Sequence, residues 1–164
     1  MNDDAPHREA VGTLLRHVLE MLDGDVAAVY AERGLGDYRP RFSPPLRALV
    51  TDGPLPIRDL ARRVGVTHSA ASQTVAQMAR AGLVELTPGP DARQRVVHLS
   101  ARARDLLPVV EAEWAATTAA MRELDTELPA PLADVLHAVL AAVARRPLRR
   151  RIADAGLPPP PSTP

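Results

Sequence analysis

Residues 57–81 constrain this chain more than any other stretch: two short apolar periods are separated by a glycine turn, and the period then changes abruptly. Ile57, Leu60, Ala61 and Val64 recur at spacings of three and four, which predicts a helix over 57–64. Gly65-Val66-Thr67 follows, a turn in which glycine can supply a left-handed backbone. Ala71, Val75 and Met78 mark the inward face of a second helix from about His68 to Ala81, closed by Gly82. Ala61 is small where the second helix must cross closely, and Val66 and Ala71 fill the angle between the two. Beyond Gly82, Leu83, Val84 and Leu86 predict one strand, and Val97 and Leu99 another. The Thr87–Arg93 segment between them, with its prolines and glycine, predicts the turn of a hairpin.

Long helices flank this unit. Val11, Leu14, Leu15, Val18, Leu19, Leu22, Val26 and Val29 predict one helix over 8–33, ended by the Gly34-Leu35-Gly36-Asp37 turn. A second begins at Ser43 as N-cap, tolerates Pro44 and Pro45 in its first turn, and stops at Asp52-Gly53-Pro54. Ser100 caps a long helix reaching towards Leu124, in which Pro108 is expected to introduce a kink. Pro129 and Pro131 open a last helix through Leu132, Val135, Leu136, Val139, Leu140 and Val143. The proline-rich end from Leu157 is expected to be disordered.

The fold class is therefore mainly α with a small β-hairpin (α+β). Composition agrees: Trp114, Tyr30, Tyr38 and Phe42 are the only aromatics, so the 46% hydrophobic content is mostly Ala, Val and Leu, which suits closely packed helices. Cysteine is absent, which excludes disulfides, thiolate metal sites and thiol redox sensing within the chain. No apolar run approaches the ~20 residues of a membrane span, and the first residues lack the pattern of a secretory leader, so a cytoplasmic protein without a membrane partner is expected. His7, His17, Glu20, His98 and His137 form no compact cluster, so no metal and no cofactor are expected.

All basic residues are arginine, and formal net charge is zero, but the charge is segregated. Residues 1–38 carry −5, residues 39–104 carry +7 and residues 105–164 carry −2. A basic centre between acidic arms can meet phosphate while the molecule stays neutral. The outward face of the second helix reads Thr67, His68, Ser69, Ser72, Gln73, Ala76 and Gln77. Hydroxyls and amides can contact base edges and phosphates, and small residues permit close approach to a major groove. Arg145-Arg146 and Arg149-Arg150-Arg151 fit a solvated helix end complementing the dipole, with a phosphate contact as the other reading.

These segments together resemble the MarR family of winged helix-turn-helix regulators. The resemblance is carried by Pro54–Ala61, Val64–Val75 and Ala81–Val84, then by Asp91-x-Arg93 with Val97-x-Leu99-Ser100, close to the family's D-x-R-x3-V-x-L-[ST] wing, and it runs from about Phe42 to Leu107. It implies a homodimeric transcriptional regulator, a repressor of the usual type, on double-stranded DNA with a pseudo-palindromic operator. Residues 1–38 and 105–155 would be dimerisation helices, 39–104 the DNA-binding lobe, and 156–164 a disordered tail. Thr67, His68, Ser69, Ser72, Gln73 and Gln77 would meet the major groove. Arg93 would enter the minor groove, oriented by Asp91, and Arg95 would contact phosphate. Half-sites would lie ~34 Å apart. A small-molecule effector could release the DNA, with Tyr30, Tyr38, Arg39 and Phe42 as pocket candidates. Ala92 and Ala103 depart from the pattern, where a second wing arginine and a glycine are frequent.

A rival reading is a winged-helix interaction module whose basic face contacts protein rather than DNA. An enzyme is not expected, because no glycine-rich phosphate loop follows a strand and no nucleophile–base–acid set has a recognisable context.

Overall fold

The structure is a computed structural model and describes residues 10–89 and 94–156. The chain divides into two compact units, Met1–Glu111 and Ala112–Pro164. In the first, α1 spans Val11–Glu32, running uninterrupted through Gly24, and α2 spans Ser43–Asp52. A single 3-10 turn, Pro40–Phe42, leads into α2. That turn displaces Ser43 from the expected cap. Ser43 is the first helical residue, and its hydroxyl shares a 3.1 Å hydrogen bond with the Tyr38 hydroxyl.

Helices α3 (Ile57–Val64) and α4 (His68–Arg80) follow the predicted bounds closely. Gly65 adopts φ 77°. The N–H of Val66 reaches the Ala61 carbonyl at 3.0 Å, and that of Gly65 reaches the Arg62 carbonyl at 3.3 Å. This pair of bonds satisfies the last carbonyls of α3 and turns the chain sharply into α4.

A short strand, β1 (Leu55–Pro56), precedes α3 and has no counterpart in the sequence pattern. Strands β2 (Val84–Pro88) and β3 (Arg95–Leu99) form the expected hairpin, pairing Val84 with Leu99 and Pro88 with Arg95. Strand β1 pairs antiparallel with β3, placing Leu55 opposite Val97 in the order β1-β3-β2. Two residues are too few to show an alternating period, so only the pairing reveals them. On the hairpin, the His98 ring Nε2 lies 2.8 Å from the Thr87 hydroxyl, so that histidine is engaged within the sheet.

Helix α5 covers Ala101–Thr126 and is assigned continuously through Pro108, which removes one backbone donor from its ladder. The first unit owns the core. Leu46, Leu60, Val75, Met78, Val97 and Val110 are all but inaccessible, drawn from α2, α3, α4, β3 and the first part of α5. Each such burial stabilises by about 1.5–3 kcal/mol.

The second unit holds the distal half of α5, with α6 (Leu132–Arg145) and α7 (Leu148–Asp154). Among its described residues no hydrophobic side chain is buried. Arg146 and Pro147 separate α6 from α7. Arg151 donates to the carbonyls of Arg146 at 3.0 Å and Ala142 at 3.1 Å, while Arg146 pairs with Asp154. Part of the arginine run thus satisfies the C-terminus of α6, in line with a dipole-complementing role.

Candidate nucleic-acid interface

Helix α4 is two-sided. Ala71, Val75 and Met78 are buried against the lobe, while His68, Ser69, Gln73 and Ala76 are exposed and Ser72 is half-buried. The spacing of three and four that buries the first set necessarily presents the second as one polar stripe. That stripe carries hydroxyls, an amide, a ring nitrogen and a methyl, all able to work at base edges.

Two of the predicted residues have tasks or surroundings within the fold. Thr67 is the N-cap of α4, its hydroxyl oxygen accepting the Ala70 N–H at 3.2 Å, so its hydroxyl proton is what it keeps for a partner. Gln77 is half-buried, and its Oε1 is shut off from solvent with no hydrogen-bond partner among the described residues. The cap is a signal that the sequence carries, since a threonine directly before an apolar-periodic helix is a preferred N-cap.

Arg95 begins β3 and is exposed. Asp91 and Arg93, the other wing candidates, lie outside the described residues. Where strand β1, the start of α3, the start of α4 and β3 meet, an open hollow of about 290 Å3 is lined by Pro56, Ile57, Arg58, His68, Gln94 and Arg95. Two of the predicted residues, His68 and Arg95, are thereby brought together. Arg58 joins them and was missed by sequence reasoning, which treated α3 only as a packing helix.

The aromatic candidates for an effector pocket are core residues. Tyr30, Tyr38 and Phe42 are 0%, 3% and 2% exposed. The Tyr30 and Tyr38 rings are 4.3 Å apart between centroids, and Phe42 meets Tyr38 edge-on at 5.9 Å. Their rings fill the space where α1 turns towards α2, and Arg39 stands exposed beside them. Among the described residues no group of three potential metal ligands occurs, and no helix is long and apolar enough to cross a membrane.

Comparison with known proteins places this geometry. Residues 46–95 match the sequence pattern of the MarR family, a segment holding most of α2, then α3, α4 and the greater part of the wing. No curated protein matches the chain in sequence. The fold is similar to that of the transcriptional regulator MosR of M. tuberculosis in complex with DNA, at TM-score 0.65 and 23% identity, covering 84% of this chain and 98% of that one. It is similar as well to PcaV of Streptomyces coelicolor with its natural ligand, at TM-score 0.63 and 20% identity, covering 89% and 97%. A third likeness is to a cysteine-to-serine mutant of E. coli MarR complexed with operator DNA, at TM-score 0.61 and 19% identity, covering 81% and 92%. The MarR family's sequence pattern thus falls on the helix-turn-helix and most of the wing, and over most of the chain the fold is similar to that of solved MarR-type structures.

Proposed function

We propose that the chain acts as a homodimeric, sequence-specific repressor that reads a pseudo-palindromic operator through α4 and the wing and is released by a small-molecule effector. The observation that carries the reading is the exposed polar stripe of α4, set on a basic lobe beside an arginine-bearing wing. In this reading Ser69, Ser72 and Gln73 address base edges, while His68 and Arg95 address the backbone. Arg93, with Asp91 orienting it, reaches the minor groove.

Dimerisation is supported by apolar surface that the single chain leaves open. Leu15 and Leu19 of α1 are 54% and 59% exposed, and Val139 and Leu140 of α6 are 50% and 67% exposed. Monomeric proteins rarely leave stripes of this kind on amphipathic helices. A second copy that covers them supplies two recognition helices for two half-sites.

Release by an effector is supported by the ligand-bound structures of similar proteins, PcaV with its natural ligand and NadR with 4-hydroxyphenylacetate. Here an effector acts through the segment carrying Tyr30, Tyr38, Arg39 and Phe42, which joins α1 to α2. Because the three rings are closed on one another, the ligand must part them, favouring a conformation that differs from the unliganded one.

The experiment is fluorescence anisotropy with the intergenic DNA upstream of the gene, alongside sedimentation to count subunits. Tight, salt-sensitive binding by a dimer is expected. Binding to protein partners without any DNA affinity would instead favour the interaction-module reading.

A further inference from the structure

We infer that a hollow in the angle between α3 and α4, walled by the start of α2, binds a short aliphatic monocarboxylate whose carboxylate is met by Arg41. The inference goes beyond the reading above and does not depend on DNA binding. Tyr30, Tyr38 and Phe42 do not line this hollow, so it is a separate site from the segment assigned to an effector.

The first observation is an unfilled space where packing is expected. Val66 and Ala71 stand in the angle between α3 and α4, yet an open hollow of about 200 Å3 remains there. Leu60 and Val75, each 1% exposed, close its inner end, while Val66 at its edge is 43% exposed. The α4 side is Ala70, Ala71 and Thr74, three small residues where a leucine or methionine would close the gap. Ala70 and Thr74 are four apart and so share one face of the helix. Pro44 and Pro45 form the opposite wall from the first turn of α2. Their rings fix the backbone, so that wall resists collapse into the space. Apolar side chains facing such a gap forgo dispersion contacts that a hydrocarbon ligand would restore. A cavity of about 150 Å3 suffices for benzene, so this hollow accommodates a body of about six to eight carbons.

The second observation is the charge at the rim. Arg41 lies in the turn ahead of α2, is exposed, and lines the hollow. The acids of the neighbouring helices are engaged by other arginines: Asp52 by Arg63 and Asp59 by Arg62, each at 2.7 Å. Arg41 itself has no ion pair among the described residues. Thr74 is the one other polar side chain in the lining, and its hydroxyl makes no side-chain hydrogen bond among the described residues.

An apolar interior with a lone guanidinium at the rim selects a hydrocarbon that ends in one anion. A carboxylate presents two oxygens that match the guanidinium fork. The lining contains no aromatic ring to stack upon, and beyond Thr74 it offers nothing to hold a ring substituent. Both points favour an aliphatic chain.

The test is a titration of the full chain, carbon-13 labelled at Ala, Val and Leu methyl groups, with hexanoate and with hexanamide as its uncharged match. Hexanoate should shift the methyls of Val66 and Ala70 saturably and leave Val139 and Leu140 of α6 in place. Hexanamide should bind about tenfold more weakly, since it lacks the charge-assisted bond. Arg41→Gln should erase that difference. Ala70→Leu fills the hollow from an exposed position where leucine keeps the helix, and should abolish the Val66 shift at unchanged circular dichroism. Undiminished hexanoate binding by Ala70→Leu would overturn the site, as would methyls of α6 moving in step with Val66. Equal affinity for hexanoate and hexanamide in the wild type would remove Arg41 from the site and overturn the proposal. Benzoate binding more tightly than hexanoate would overturn the aliphatic assignment, and no saturable shift in the millimolar range would overturn the whole. None of these outcomes bears on DNA binding, which anisotropy reads separately.

Discussion

Ser100 donates its hydroxyl proton to the carbonyl of Gly82 at 2.6 Å and accepts the N–H of Ala103 at 3.0 Å. One side chain therefore fastens the turn that ends α4 to the first turn of α5, across the base of the wing. A further bond, from the Ser100 N–H to the Leu83 carbonyl at 3.1 Å, closes the same corner. Ser100→Ala removes a helix cap and strips the Gly82 carbonyl of a partner in a part-buried setting. A loss of about 1–2 kcal/mol is expected, read as a lower urea midpoint at unchanged slope.

Gly65 and Gly24 should respond to the same substitution with opposite signs. Neither would place a new Cβ within 4 Å of another group, so packing is silent and only the backbone decides. Gly65→Ala forces a left-handed residue at φ 77° and should cost about 1–2 kcal/mol. Gly24→Ala lies inside α1 and should stabilise by about 0.4–1 kcal/mol. Thermal denaturation of the two variants at matched concentration checks both signs.

Gln73 is the longest exposed polar side chain on the recognition stripe of α4. Its replacement by alanine should cost about 1–3 kcal/mol on the operator. Affinity for unrelated duplex should stay within a factor of about two, because phosphate contacts supply that part. Anisotropy on both duplexes gives the ratio; an equal loss on both would place Gln73 outside base readout.

Leu140→Glu puts a charge in the middle of the exposed apolar stripe of α6. In the proposed dimer that charge is buried without a partner, so dissociation into single chains is expected. Sedimentation at micromolar concentration would report it. A dimer that persists unchanged would show that α6 is not part of the subunit contact.

Much of the lobe was legible because each device is local. The apolar spacing of Leu60, Ala61 and Val64, the glycine at 65 and the spacing of Ala71, Val75 and Met78 each act within a few residues. What escaped the sequence depends on distant parts of the chain. Strand β1 exists only because Val97 comes to lie opposite Leu55. Ser43 lost its capping role to a turn set by Pro40, and found Tyr38 instead. The hollow around Arg58 needs residues from four segments, and no window of sequence contains it.

Helix α6 has no buried residue. A helix of 14 residues is marginal by itself in water, so its order is borrowed from whatever lies across it. If a second copy is the lender, folding and assembly become one equilibrium, and melting temperature climbs with protein concentration. Occupancy of the operator then depends on copy number more steeply than one-to-one binding allows, so small changes in synthesis would be felt as large changes in control.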